Sequence, residues 1–264
     1  MRSRGMASVE GRRPVILVVR LHKKRICMRL TCSVSIWSAC LLLLAWAAPS
    51  AVASEPKQEA FTAKQVLDRM SKTYAGCKTY GDSGVVKTLF VQDTGTRTVE
   101  KPFKTAFVRP GQFRFEYKDG TDRHIIWSKG KDVQTWWDVQ PGIQKPESLQ
   151  LAVAAATGVS SGSAARIPAM LMPKTIDGWG GVHIRDAKRI EDGTLDEVEC
   201  FRFEGKYVDD PITLWIDKKS YLVRRIDQQA MFDTFRTEVT TTYEPVIDGE
   251  IAEKLLEFDP PKQK

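Results

Sequence analysis

Catalysis in this chain would have to draw on very few residues. Beyond residue 53 there are two histidines, His124 and His183, and two cysteines, Cys77 and Cys200. Each histidine sits in a strand-like pattern beside apolar neighbours, and neither has a second ligand at a metal-binding spacing. Gly158-Val159-Ser160-Ser161-Gly162 has the Gly-x-Ser-x-Gly form of a nucleophile elbow. That motif works only at a strand-to-helix turn of a parallel sheet, and here it interrupts two Ala-rich stretches, so it reads as a flexible linker. Asp209-Asp210 precedes Pro211 and reads as a solvated loop. No glycine-rich phosphate loop follows a strand. The residue types point to a binding protein rather than an enzyme, with no cofactor and no metal.

Apolar and aromatic surface is plentiful instead. Phe103, Phe107, Phe113, Phe115, Tyr117, Trp127, Trp136, Trp137, Phe201, Phe203, Trp215, Phe232 and Phe235 all fall in strand-like segments. Trp136 and Trp137 are adjacent and must point to opposite faces. Phe107, Phe115, Trp127, Trp136 and Trp215, with Met170 and Met172, are the candidates for lining a hydrophobic ligand cavity. Unbranched thioethers suit adaptable apolar contact. A packed core remains the other reading of the same residues.

The elements that must position them follow from periodicity. Thr62-Ala63-Lys64-Gln65 is a capping box, and Val66, Leu67, Met70 and Tyr74 recur at helical spacing up to Gly76. From Tyr80 the period becomes two, with Asp93-Thr94-Gly95, Asp119-Gly120 and Lys129-Gly130 as turns. A second strand series follows Trp179, for about eleven strands in all. The expected class is mostly β with some α, an unclosed antiparallel β-barrel over one N-terminal helix. Residues 147–173 interrupt the series with Leu149–Ala156, a Gly/Ser break and Ile167–Met172. Two short helices are expected there, as a flap over the concave face or as a permanent plug.

Net charge is +7, from 40 Lys and Arg against 33 Asp and Glu. Residues 1–53 carry nine of the bases and one acid, leaving 31 bases and 32 acids in the rest, so nucleic acid is not the expected partner. That same stretch holds Met28-Arg29-Leu30, the apolar run Val34–Ala48 and the small residues Ala51-Val52-Ala53. It reads as a secretory leader removed near Ala53, with Met28 as an alternative start, and it implies the periplasm. Residues 54–264 are then a single domain. An even pair of cysteines in an oxidising compartment leads us to expect a Cys77–Cys200 disulfide, against the alternative of two buried thiols.

The segment Thr105-Ala106-Phe107-Val108-Arg109-Pro110-Gly111-Gln112-Phe113-Arg114-Phe115, then Ser128-Lys129-Gly130-Lys131 and Trp136-Trp137, resembles the LolA/LolB superfamily of periplasmic lipoprotein-sorting proteins. So does the late Phe258-Asp259-Pro260-Pro261. The resemblance implies an unclosed barrel with a helical lid. It implies that Arg109 clasps the lid through backbone carbonyls, and that Phe113 contacts a membrane-bound release partner at the mouth. A cysteine pair and so long an Ala-rich insertion depart from the family pattern. The function implied is a monomeric periplasmic carrier that buries acyl chains of a lipoprotein or lipid. A sensor module that binds a peptide, lipid signal or partner protein without transport is the alternative.

Overall fold

The structure, a computed structural model, describes residues 61–176 and 182–261. The leader residues lie outside that range. Thr62 caps the first helix, α1 (Ala63–Gly76): its side chain accepts from Gln65 N while the Gln65 side chain accepts from Thr62 N. Val66, Met70 and Tyr74 form the buried stripe that the spacing predicts.

Six strands follow as successive hairpins: β1 (Thr79–Gln92), β2 (Gly95–Val108), β3 (Gln112–Asp119), β4 (Asp122–Lys129), β5 (Asp132–Trp137) and β6 (Gln140–Gln144). The insertion forms α2 (Leu149–Thr157) and α3 (Ser163–Leu171). Then come β7 (Arg185–Arg189), β8 (Gly193–Leu195), β9 (Val198–Tyr207), β10 (Asp210–Asp217), β11 (Val223–Met231), β12 (Arg236–Tyr243) and β13 (Val246–Ile247). All lie in one antiparallel sheet of 13 strands, ordered β6-β5-β4-β3-β2-β1-β12-β11-β10-β9-β7, with β13 on β1 and β8 on β9. The expected eleven become thirteen because the short pairings β6, β8 and β13 are added, whereas the last expected strand, Ile251 to Phe258, holds a single 3-10 turn, Glu253–Leu256, in the C-terminal arm. The sheet ends in β6 and β7 and does not close. Among the described residues no helix is long and apolar enough to cross a membrane.

Paired residues share a face, so the registers sort the sheet into two sides. Tyr80 pairs with Phe107 and Phe107 with Phe113; Phe103 pairs with Tyr117, and Thr105 with Phe115. In the second half Phe203, Leu214 and Ile226 align across three strands. These residues belong to the main hydrophobic core with α1, α2 and α3, and this is the concave face. Phe107, Phe113, Phe115 and Phe203 are fully buried, each contributing about 1.5–3 kcal/mol over an exposed position.

The convex face is strapped by the C-terminal arm. Trp127 Nε1 donates to Leu256 O at 2.6 Å, and the Trp127 ring lies 6.0 Å from that of Phe258. Buried Arg114 binds Glu116 at 2.6 Å and Asp259 at 2.7 Å. The Phe-Asp-Pro-Pro segment therefore holds the outside of β3 and β4.

Cys77 and Cys200 are free thiols, which overturns the expected disulfide. Cys77 caps α1 inside the main core, its Sγ donating to Tyr74 O at 3.2 Å. Cys200 alternates with Phe201 and Phe203, so it faces the other side of the sheet, on the stretch of β9 that pairs with β8 opposite Gly193. Burial raises the pKa of both thiols, Cys200 to about 11, which keeps them protonated and unreactive. Alkylation of the unfolded, unreduced domain should label both cysteines, and mass spectrometry finding neither labelled would restore the bridge.

Asp82 is buried in the concave half of β1, its Oδ1 accepting from Glu244 N at 3.0 Å. Burial pushes its pKa up to about 7. The acid is near 4 when unfolded, so its contribution is fully present below about pH 4 and is lost as pH rises through about 7. Asp82→Asn removes that loss. In urea titrations the variant should gain on the parent by about 2–4 kcal/mol between pH 4 and 7 and no further above it; a pH-independent difference would refute this.

Candidate functional site

The insertion lies on the concave face as a lid. Ser148 caps α2 through Leu151 N at 3.2 Å, and Leu149, Ala152, Val153 and Ala156 are its buried side. Every residue of α3 is buried, as it packs on α1, α2 and the sheet. The segment read as a loose linker is a tight turn. Ser160 is buried and accepts from Ala164 N at 3.1 Å, satisfying an amide in the first turn of α3, whose N-cap is Gly162; no histidine is among its hydrogen-bond partners. Gly162 adopts φ +86°, where a Cβ would also press on the Arg166 guanidinium at 3.1 Å.

Polar contacts from three basic residues hold the lid to the rest of the fold. Arg109 follows the last residue of β2. Its Nη2 donates to Leu171 O at 3.2 Å, at the C-terminus of α3. Its Nε donates to Cys77 O at 2.8 Å and its Nη2 also to Tyr74 O at 3.4 Å, at the C-terminus of α1. The guanidinium lies 5.1 Å over Phe107. One cation thus meets the orphan carbonyls and the negative dipole ends of two helices. Lys101 on β2 donates to Val159 O at 3.0 Å, in the α2–α3 turn, and pairs with Asp119 at 2.7 Å. Arg166 reaches from α3 to Gln228 on β11. Sequence reasoning passed over Lys101 and Arg166. A lone Arg in the apolar run Ala164–Met172 was a signal for the second; nothing local marks the first.

The aromatic candidates separate by face. Phe107 and Phe115 lie under the lid, and Met172, at the end of α3, is part of the lid and joins the same core. Met170 borders a cleft of about 250 Å³ between α1 and α3, with Ser71, Ala75, Pro173 and His183. A second cleft, about 320 Å³, runs beneath α2 and is lined by His124, Trp137, Lys145 and Leu151. Trp127, Trp136 and Trp215 are on the convex side, and their assignment to a cavity is corrected. Trp136 pairs with Ile125 and Trp127 with Arg114. Trp215 donates to Asp227 at 3.0 Å and lies beneath the Arg202 guanidinium at 4.3 Å. It is Trp137 that faces the concave side, stacked on His124 at 5.3 Å. Phe113 is fully buried, so with the lid closed it presents no surface to a partner. His124 is buried between Tyr117 and Trp137, and burial lowers its pKa to about 4, so it is a neutral core residue near pH 7.

No family model and no curated protein matches the chain. Among solved structures it is similar to LprF from Mycobacterium bovis (12% identity, TM-score 0.41, covering 72% of this chain and 94% of that one). It is similar to a DUF1329 family protein from Desulfovibrio piger (12%, 0.35, 75% and 98%). A LolA superfamily protein from Nitrosomonas europaea is a third (9%, 0.29, 75% and 99%). At these TM-scores nothing follows about what this chain binds.

Proposed function

We propose that the protein is a periplasmic binding protein that carries the acyl chains of a lipoprotein or lipid between its concave sheet and the α2–α3 lid, without catalysis. The observation that supports this is how the lid is held. Among the described residues no strand of the sheet pairs with it, and beside apolar packing its hold on the sheet includes side-chain hydrogen bonds from Arg109, Lys101 and Arg166. Contacts of that kind can be exchanged without unravelling a backbone ladder. The surface beneath is Phe103, Phe107, Phe113 and Phe115, and each acyl methylene moved onto it from water gains about 0.8 kcal/mol. In the closed state the lid's own Ile167, Leu171 and Met172 cover that surface. Cargo replaces them, so binding and lid displacement are one event.

Arg109→Leu tests this reading. Removing hydrogen bonds from a charged donor should cost about 1–3 kcal/mol, concentrated at the lid. Hydrogen exchange across residues 149–171 should accelerate well beyond that of β1 and β2, and a bound fluorescent fatty acid should leave several-fold faster. Unchanged lid exchange together with unchanged release would show that Arg109 braces the fold only. A delipidated parent protein that takes up no fatty acid would remove the carrier reading.

A further inference from the structure

Arg166 is the one charge in the apolar run of α3, and it is 6% exposed. Its Nη2 donates to the Gln228 side chain, and its guanidinium stands 5.5 Å from the centre of the Tyr207 ring. Among the described residues no carboxylate lies within ion-pairing distance, and Nη1 has no hydrogen-bond partner. A guanidinium taken out of water without a counter-charge costs several kcal/mol, which folds ordinarily avoid by pairing it.

The surroundings are also short of partners. Thr241 and Tyr243 stand two apart on β12 and so share its concave face. Both are buried, and neither Thr241 Oγ1 nor Tyr243 Oη makes a well-formed hydrogen bond, although Arg166 and Thr241 both lie beside the Tyr243 hydroxyl. Arg166 is close enough to Tyr243 to pull its pKa down against the upward effect of burial. Two hydroxyls and a guanidinium therefore converge on one buried spot; the neighbouring carboxyl, Asp82, is felt by Tyr243 but makes no ion pair with Arg166 among the described residues. The spot adjoins the aromatic surface: Tyr243 meets Phe103 edge-on at 5.5 Å, and Phe103 stacks on Phe115 at 6.0 Å.

We propose that Arg166, Tyr243 and Thr241 form the receptor for the anionic head of the cargo, a carboxylate or phosphate ending an acyl chain that then lies along Phe103 and Phe115. This rests on the carrier reading and narrows it to acidic amphiphiles. An arriving anion satisfies Nη1 and both hydroxyls at once, through charge-assisted hydrogen bonds. Because Arg166 is part of the lid, head-group capture keeps that residue at β12 while Ile167, Leu171 and Met172 give up the aromatic surface to the acyl chain.

The test uses the full domain, delipidated, titrated with palmitate, hexadecyl phosphate, hexadecanol and inorganic phosphate. The parent should bind the two acidic amphiphiles at least about tenfold more tightly than hexadecanol. Arg166→Gln should bring that ratio below about twofold while hexadecanol affinity is kept, and Arg166→Lys should restore part of it. The ratio in the parent alone is decisive if Arg166→Gln does not fold. Equal affinity of the parent for acid and alcohol would overturn the head-group receptor and leave the carrier standing. Binding of none of the three amphiphiles would end both. Inorganic phosphate binding as tightly as hexadecyl phosphate would make this a free-anion site and overturn the lipid assignment.

Discussion

An unclosed sheet with one apolar face has to be covered, and this constraint organises the rest of the molecule. Alternation along β1, β2 and β3 collects Tyr80, Phe103, Phe107, Phe113, Phe115 and Tyr117 on one side. A closed barrel would bury them against its own opposite wall. With β6 and β7 left as separate edges, helices must do it. α1 is fixed in place: Tyr74 sinks fully into the core and its hydroxyl accepts from Val223 N at 3.0 Å, while Arg69 donates to Tyr221 Oη at 2.7 Å. α2 and α3 cover the remainder with less hold on the sheet's backbone.

The difference between those two modes of cover is electrostatic as much as apolar. Helix C-termini bring carbonyls that need donors, and the fold supplies them from one side chain at the end of β2. Arg109 serves α1 and α3 together, which makes the seat of the lid depend on the seat of the first helix. Arg is suited to this by its fixed fork of donors. The Arg-Pro motif therefore has a physical reading here that does not depend on any relative.

The convex face carries a different chemistry. Arg114, Glu116, Arg123 and Asp259 make a connected ion network there, partly buried, beneath the C-terminal arm. Trp127 and Trp215 serve on that side as partners of backbone and charged groups. Arg114, Glu116, Arg123 and Asp259 pair with one another outside, where Arg114 Nε and Arg202 Nε are left without partners; on the concave side Arg166, Thr241 and Tyr243 are short of partners. Asp82 is short of one on the same side.

The sequence by itself determined the elements. The capping box, the helical spacing to Tyr74, the long period-two runs and the Ala-rich insertion each depend on neighbours within a few residues, and each appears where those neighbours put it. Arg109 was legible because a short motif marks it. Tertiary structure decided which parity of each strand is concave. Alternation separates Trp136 from Trp137 but does not say which is inside; that follows from the register with β4, and it reversed the reading for three tryptophans. The same parity parted Cys77 from Cys200. Gln228 and Tyr243 are brought to Arg166 from strands more than sixty residues away. Local sequence carries periods and caps, because those arise from steric and hydrogen-bond relations between near neighbours. Facing and counter-charge arise only when distant strands pair.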